Sequence, residues 1–317
     1  MAVRKLAAYA ALAVAVVAVV WLAFGLRHGG SEVLKVANQK GQVKAMMLAS
    51  GALDGAPYTV EWSEFPAAQP LLEAVASGAA DLGLAADAPF IFAYQNGAPV
   101  KAIAVQAPAS QASGALAIIV RPGSPIKSAA DLAGKIVATT RGSIGHHLLL
   151  QALERAGLTA DKVKITFLTP ADAKAAFDSG AIDAWSTWTP YTNVALKEGA
   201  RAIADARDFG LPLYIDIAHA DSIGPKRALL ADFLKREAKA VRWAHDHPEQ
   251  FSVVLAKETG LPLDIAQASF ARNNRLSAPV DDGLIAHERE IVGRFAKAGY
   301  IKGDRDIPAA FDTSFSK

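Results

Sequence analysis

The sequence predicts an α/β fold in two similar lobes, each a mostly parallel sheet flanked by helices, and three observations carry that prediction. Strand-like and helix-like segments alternate from residue 33 to residue 198, the pattern of a parallel sheet with crossover helices. Part of the chain recurs. Ser77-Gly78-Ala79-Ala80-Asp81 is echoed by Ser179-Gly180-Ala181-Ile182-Asp183, and Val36-Ala37-Asn38-Gln39-Lys40-Gly41 by Val137-Ala138-Thr139-Thr140-Arg141-Gly142. A strand-like segment, 213–218, follows the second copy and precedes a helical tail, so the chain returns to the first lobe. Two facing lobes make a cleft, a favoured place for small ligands.

The elements follow in order. Residues 33–37 form a short apolar strand, and 42–50 a helix that Gly51 stops. Tyr58–Phe65 alternates and reads as a strand, with Trp62 assigned to the core. Residues 69–77 are a helix stopped by Gly78, 82–85 a strand, and 89–95 a helix ended by Asn96-Gly97. Residues 100–105 and Leu116–Val120 are strands rich in β-branched and apolar residues, and Asp131 caps a helical turn before Gly134. The second unit repeats the order: strand 135–139, helix 143–156 ended by Gly157, strand 163–168, helix 171–179, strand 182–186 and helix 191–198. After the return strand come helices 227–245, 247–259, Leu263–Asn273 and 282–298, each closed by Gly, Pro or Asn. The chain leaves the first lobe near 108–114 and comes back near 211–218. Two such crossings form a hinge that closes by small backbone rotations.

Composition narrows the function classes. Residues 6–26 carry no charge and follow Arg4 and Lys5, a basic start and apolar run that mark an export signal. The run is also nearly long enough for a retained membrane anchor. Either reading places the rest of the chain outside the cytoplasm. Setting aside residues 1–30, with their three positive charges (Arg4, Lys5, Arg27), takes the formal charge from +2 to −1. No basic stripe is left for nucleic acid or an anionic membrane surface. With no cysteine in the chain, disulfides, thiolate catalysis, cysteine zinc sites and a lipid-modified cysteine are excluded.

Ligands of open α/β sheets bind beyond the carboxyl ends of the strands. Three strand-to-helix turns stand there: Asn38-Gln39-Lys40-Gly41, Ala86-Asp87-Ala88-Pro89 and Thr140-Arg141-Gly142-Ser143. A helix N-terminus offers unpaired N–H groups and partial positive charge to an anion. Gly41 and Gly142 either let the backbone approach a ligand or only turn the chain. Ser143 is a natural N-cap, and His146, three residues on, shares its face. Trp185, or less favourably Trp188, offers an aromatic wall or packs in the core, and Tyr214 stands at the return crossing. Asp87 is either a cap or a partner for an ammonium group. Catalytic signatures are missing: there is no P-loop, HExxH or GxGxxG, Gly142-Ser143-Ile144-Gly145 falls one residue short of a nucleophile elbow, and His245-Asp246-His247 reads as a helix end.

Several segments carry a resemblance: Gln39-Lys40-Gly41, Glu64-Phe65-Pro66-Ala67, Ser77 through Gly83, Asp131-Leu132-Ala133-Gly134-Lys135, Gly142-Ser143 with His146, and Leu168 through Ala173 running into Ala184-Trp185 and Trp188-Thr189-Pro190-Tyr191. They resemble the periplasmic substrate-binding proteins of ABC importers, closest to the aliphatic-sulfonate, taurine and nitrate group. The resemblance covers nearly all of residues 31–317 and implies the type II periplasmic-binding-protein fold. It also implies a leader over 1–30, a first lobe from 31–112 and 216–317, and a second lobe from 113–215. A sulfonate held in the cleft and passed to a membrane permease with its ATPase is the implied function, by a monomer without cofactor or metal. Gln39, the turn at Asp87, Ser143, His146 and Trp185 are the implied lining, and Gly41, Pro66, Gly142 and Tyr214 join them as candidate ligand-binding residues. Ala85 and Ala86 stand where the family has a hydroxyl residue and glycine, which removes one donor. Nitrate, another small anion or a thiamine-precursor-like ligand is the alternative. An enzyme on this fold and a regulator's sensing domain are less well supported, for want of cysteines and of a helix-turn-helix.

Overall fold

The computed structural model describes residues 32–39, 41, 43–109 and 114–315. The expected leader (1–30), Lys40, Gln42 and residues 110–113 of the first crossing lie outside the described residues. Strands β1 (Glu32–Gln39), β2 (Tyr58–Phe65), β3 (Leu82–Ala86), β4 (Val100–Pro108), β10 (Tyr214–His219) and β11 (Arg275–Ala278) form one sheet, in the order β11-β4-β10-β3-β1-β2. Strands β5 (Leu116–Val120), β6 (Ile136–Thr139), β7 (Lys164–Phe167), β8 (Ala184–Trp188) and β9 (Arg201–Asp205) form a second, in the order β7-β6-β8-β5-β9.

Both sheets are mixed, chiefly through one strand in each, and β11 also runs antiparallel to β4. Strand β10 lies between β3 and β4 and runs antiparallel to both. Strand β5 lies between β8 and β9 and does the same. Each is the strand that arrives from the other sheet, entering at the carboxyl-end side, so it must run back against its neighbours. The pairs β1–β3, β6–β7 and β6–β8 are parallel, as the alternation of strand and helix requires. The amide of Gly114 donates to Asp205 Oδ2 at 2.7 Å, which ties the first crossing to the end of β9.

The sequence repeat is a structural repeat. In register, Ala37 faces Gly83 and Ala138 faces Trp185. Asp81 Oδ2 accepts the Lys35 N–H and Asp183 Oδ2 the Ile136 N–H, both at 2.8 Å. Gly78 and Gly180 both adopt left-handed φ, 74° and 82°. The doubled Ser-Gly-Ala-x-Asp is therefore a helix-to-strand joint: glycine ends the helix, and aspartate pins the neighbouring strand.

Helices α1 (Val43–Ala49), α2 (Ala68–Ala76) and α3 (Asp87–Gln95) follow β1, β2 and β3, and α4 (Ile144–Arg155), α5 (Pro170–Ser179) and α6 (Tyr191–Lys197) follow β6, β7 and β8. The tail comprises α7 (Ala220–Ile223), α8 (Arg227–Asp246), α9 (Pro248–Thr259), α10 (Leu263–Asn273) and α11 (Asp282–Lys297). Most boundaries shift by one to three residues from the sequence reading, and three of the shifts are informative. Helix α3 begins at Asp87, β8 runs on to Trp188, and Ser128 is the cap of the short turn, with Asp131 returning the bond as its third residue. Strands β9 and β11 were not expected, because neither carries a run of β-branched residues. Among the described residues no helix is long and apolar enough to cross a membrane.

Candidate functional site

The carboxyl ends of strands from both sheets border one recess. Strand β1 ends there at Gln39, β3 at Ala86 and β8 at Trp188, and β10 begins there at Tyr214, in register with Ala86. With Gln69, Pro89, Ser143, Thr189 and Asn273 they border about 430 Å³ of space that opens to solvent. Gln39, Trp188, Thr189 and Asn273 also border a wider chamber of about 1010 Å³, whose walls include Gly41, Pro66, Met46, Tyr191, Phe251, Leu255, Phe270 and Arg275. Both spaces mix polar and apolar lining, as a small amphiphilic ligand requires. Segments flanking the two sheets touch beside these spaces: Gln69 Nε2 of α2 donates to the carbonyl of Arg141, in the turn before α4, at 3.0 Å, and Asn193 Nδ2 of α6 to Ser269 Oγ of α10 at 2.7 Å.

Five of the nine predicted site residues border these spaces: Gln39, Gly41, Pro66, Ser143 and Tyr214. Ser143 caps α4, its Oγ accepting the His146 N–H at 3.1 Å, so the hydroxyl proton is left to donate. The opening amides of α4 have no intrahelical acceptor. Tyr214 donates its hydroxyl to Asn273 Oδ1 at 2.6 Å, which orients that amide.

The other four stand behind the recess. The start of α3 is closed by its own chain: the Asp87 N–H donates to the Leu213 carbonyl at 3.0 Å, the Ala88 N–H to Asp87 Oδ1 at 2.6 Å, and Pro89 has no N–H. Asp87 Oδ2 accepts from Leu213 N at 2.7 Å and pairs with His287 Nε2 at 3.2 Å, so the carboxylate fastens the return crossing to α11. This contact raises the pKa of His287 above 6.5. Gly142 has φ of 69°, and a Cβ there would lie 2.6 Å from the Phe92 ring, so close packing against α3 requires the glycine. His146 is fully buried among Phe167, Phe295 and Tyr300. Its Nδ1 accepts the Gly142 N–H at 3.2 Å. Burial, with Arg141 and His147 adding, pulls its pKa down to about 3, so it is a neutral packing residue.

The structure separates the two tryptophans whose roles the sequence left open. Trp185 is 2% exposed and packs with Phe177, Ile182 and Ala195 in the core of the second sheet. Trp188, the last residue of β8, borders both the recess and the chamber. Residues three apart on a strand face opposite sides, so only one of the pair could reach the cleft. Running β8 to its true end would have shown which.

A family model described as NMT1/THI5 like matches residues 60–251. The chain belongs to the NMT1/THI5-like family. It is 37% identical over 238 residues, 74% of each chain, to a protein of Escherichia coli (strain K12) named for binding aliphatic sulfonates. The crystal structure of the periplasmic aliphatic sulphonate binding protein SsuA from Escherichia coli matches it with a TM-score of 0.78 at 32% identity, over 87% of this chain and 91% of that one. The alkanesulfonate-binding protein SsuA from Xanthomonas axonopodis pv. citri, bound to MOPS, matches with a TM-score of 0.78 at 26% identity, over 90% and 99%.

Among the bordering residues of this NMT1/THI5-like chain that the sequence reading missed are Asn273, the last residue of α10, and Arg275, which opens β11 in a tail read as helical. The available signal was short: Arg275 and Ser277 alternate with Leu276 and Ala278 between Asn274 and Pro279. Arg275 is 4% exposed. Its Nε donates to Gln106 Oε1 at 2.7 Å, and its guanidinium lies 4.5 Å from the centroid of the Tyr214 ring. The Gln106 Nε2 in turn donates to Asp216 at 3.2 Å and Glu237 at 3.1 Å. Burial pushes the Asp216 carboxyl up to about 6 and that of Glu237 well above its ordinary range.

Proposed function

We propose that the protein is the solute-binding component of an ABC importer, exported from the cytoplasm, that holds an organosulfonate in the recess and delivers it to a permease. The supporting observation is the recess itself, placed where the carboxyl edges of two duplicated sheets meet, and continuous through Gln39 and Asn273 with a wider chamber of mixed lining. A sulfonate is anionic at every ordinary pH, so it needs donors and no proton acceptor. In this reading Gln39, Ser143 and the opening turn of α4 supply donors, Tyr214 orders the Asn273 amide, and Gly41, Pro66 and Trp188 shape the walls around the organic part. Asp87, Gly142, His146 and Trp185 act one layer behind, holding the crossing and the helix starts in place. Residues 31–112 with 216–317, and 113–215, are the two lobes that close as a monomer around the ligand.

Micromolar binding requires about −8 kcal/mol. Three charge-assisted hydrogen bonds at roughly 1.5–3 kcal/mol each reach that range before desolvation is subtracted. Isothermal calorimetry with ethanesulfonate, MOPS, taurine, nitrate and sulfate tests the reading. Saturable heat with at least one sulfonate, and recovery of that sulfonate chemically unchanged by mass spectrometry, is expected. Silence with every sulfonate, or steady turnover, overturns it.

A further inference from the structure

We propose that Arg275 is the cationic anchor of the cleft, the group that pairs with the acid head of the ligand and so selects anions. The proposal rests on the sulfonate reading and adds the residue that enforces it. A buried guanidinium needs partners for its donors, since an unmet charged donor is costly. Arg275 has a protein partner only on one edge, where Nε meets Gln106. Its Nη2 is buried and has no hydrogen-bond partner. The same side chain borders the chamber next to Asn273, Phe270 and Gln39.

Its surroundings hold the guanidinium flat and leave its buried Nη2 without a hydrogen-bond partner. The Tyr214 ring lies against its face. Asp216 and Glu237 reach it only through Gln106, which spends its amide N–H groups on the two carboxyls and its oxygen on Arg275. The interposed glutamine takes up both acids, so neither pairs with the guanidinium directly. A planar guanidinium with unpaired N–H groups matches the oxygens of a sulfonate, and a carboxylate or sulfate would be gripped the same way. The charge thus fixes the acid head, and the apolar walls choose the organic part.

The test is calorimetry with ethanesulfonate and with its uncharged counterpart ethyl methyl sulfone on wild type, Arg275→Met and Arg275→Lys, each first shown to be folded by circular dichroism. Wild type is expected to bind the sulfonate and not the sulfone. Arg275→Met should lose about 100-fold or more in affinity, as for removal of one member of a buried charge pair. Arg275→Lys, which keeps the charge but not the fork, should lose roughly 10-fold. If Arg275→Met does not fold, Arg275→Lys decides. Unchanged affinity in the folded variants, or equal binding of sulfone and sulfonate by wild type, overturns the assignment while leaving the sulfonate reading intact. Failure of wild type to bind any sulfonate overturns both.

Discussion

Single residues decide which groups border the recess and which hold the frame, and the two tryptophans separate these positions. Trp188→Ala should weaken sulfonate binding roughly 10- to 30-fold, by loss of an aromatic wall. Trp185→Ala should cost about 3–5 kcal/mol of stability through a core cavity. Calorimetry and urea denaturation on both variants check the division, and exchanged effects would refute it. Asp87 belongs to the frame. Asp87→Ala strands the Leu213 and Ala88 amides and the His287 ring, with an expected loss of about 3–5 kcal/mol in urea denaturation. His146 gives a pH signature. Its folded pKa of about 3 lies below the ordinary 6.5. Above pH 6.5 both states are neutral, so it contributes nothing there. Between 6.5 and 3 only the unfolded chain takes the proton, so stability falls on acidification by up to about 1.4 kcal/mol per pH unit. His146→Asn, whose amide oxygen can still accept from Gly142, should show a shallower loss of melting temperature from pH 6.5 to 4. Equal slopes would show that His146 is not the group responsible.

At the scale of elements, the duplication explains where the two halves differ. At the positions that face Ala37 and Ala138, the first sheet has Gly83 and the second Trp185. A Cβ on Gly83 would lie 2.8 Å from both the Ala37 carbonyl oxygen and Leu71 Cδ2, because α2 presses directly on β3. In the second sheet the same space holds an indole beside Phe177 of α5. The difference is therefore one of packing distance between helix and sheet. Gly83→Ala should cost about 1–3 kcal/mol by overpacking, read as a shift in the urea midpoint with unchanged slope. Helix α11 adds a second link between the halves, carrying His287 to Asp87 of α3 and Arg294 and Lys297 to Glu154 of α4. Its outer ion pairs are solvent-exposed and so are worth little individually.

For the whole molecule, a ligand that binds only the folded, closed form must stabilise it by mass action. At a free sulfonate concentration 100 times the Kd, the gain is about 2.7 kcal/mol. A melting temperature that rises with the logarithm of ethanesulfonate concentration is the expected observation. A flat melting temperature over that range would contradict cleft binding.

The sequence by itself determined the α/β class, the duplicated order of strand and helix, the return of the chain through 213–218, and the positions of Gln39, Ser143 and Tyr214 at strand or helix ends. These follow from periodicity and capping, which are local. It also displayed the Ser-Gly-Ala-x-Asp repeat, though not that the repeat is a joint. Only the tertiary structure decided that Trp188 and not Trp185 meets the cleft, that Asp87 and His146 are consumed by internal contacts, and that Arg275 stands at the chamber wall. The reason is the same in each case. Whether a side chain is spent inside the fold or left for a ligand depends on partners far away in sequence: Leu213 and His287 for Asp87, Phe295 and Tyr300 for His146, Gln106 for Arg275. A short strand such as β11 likewise exists only because β4 is there to receive it.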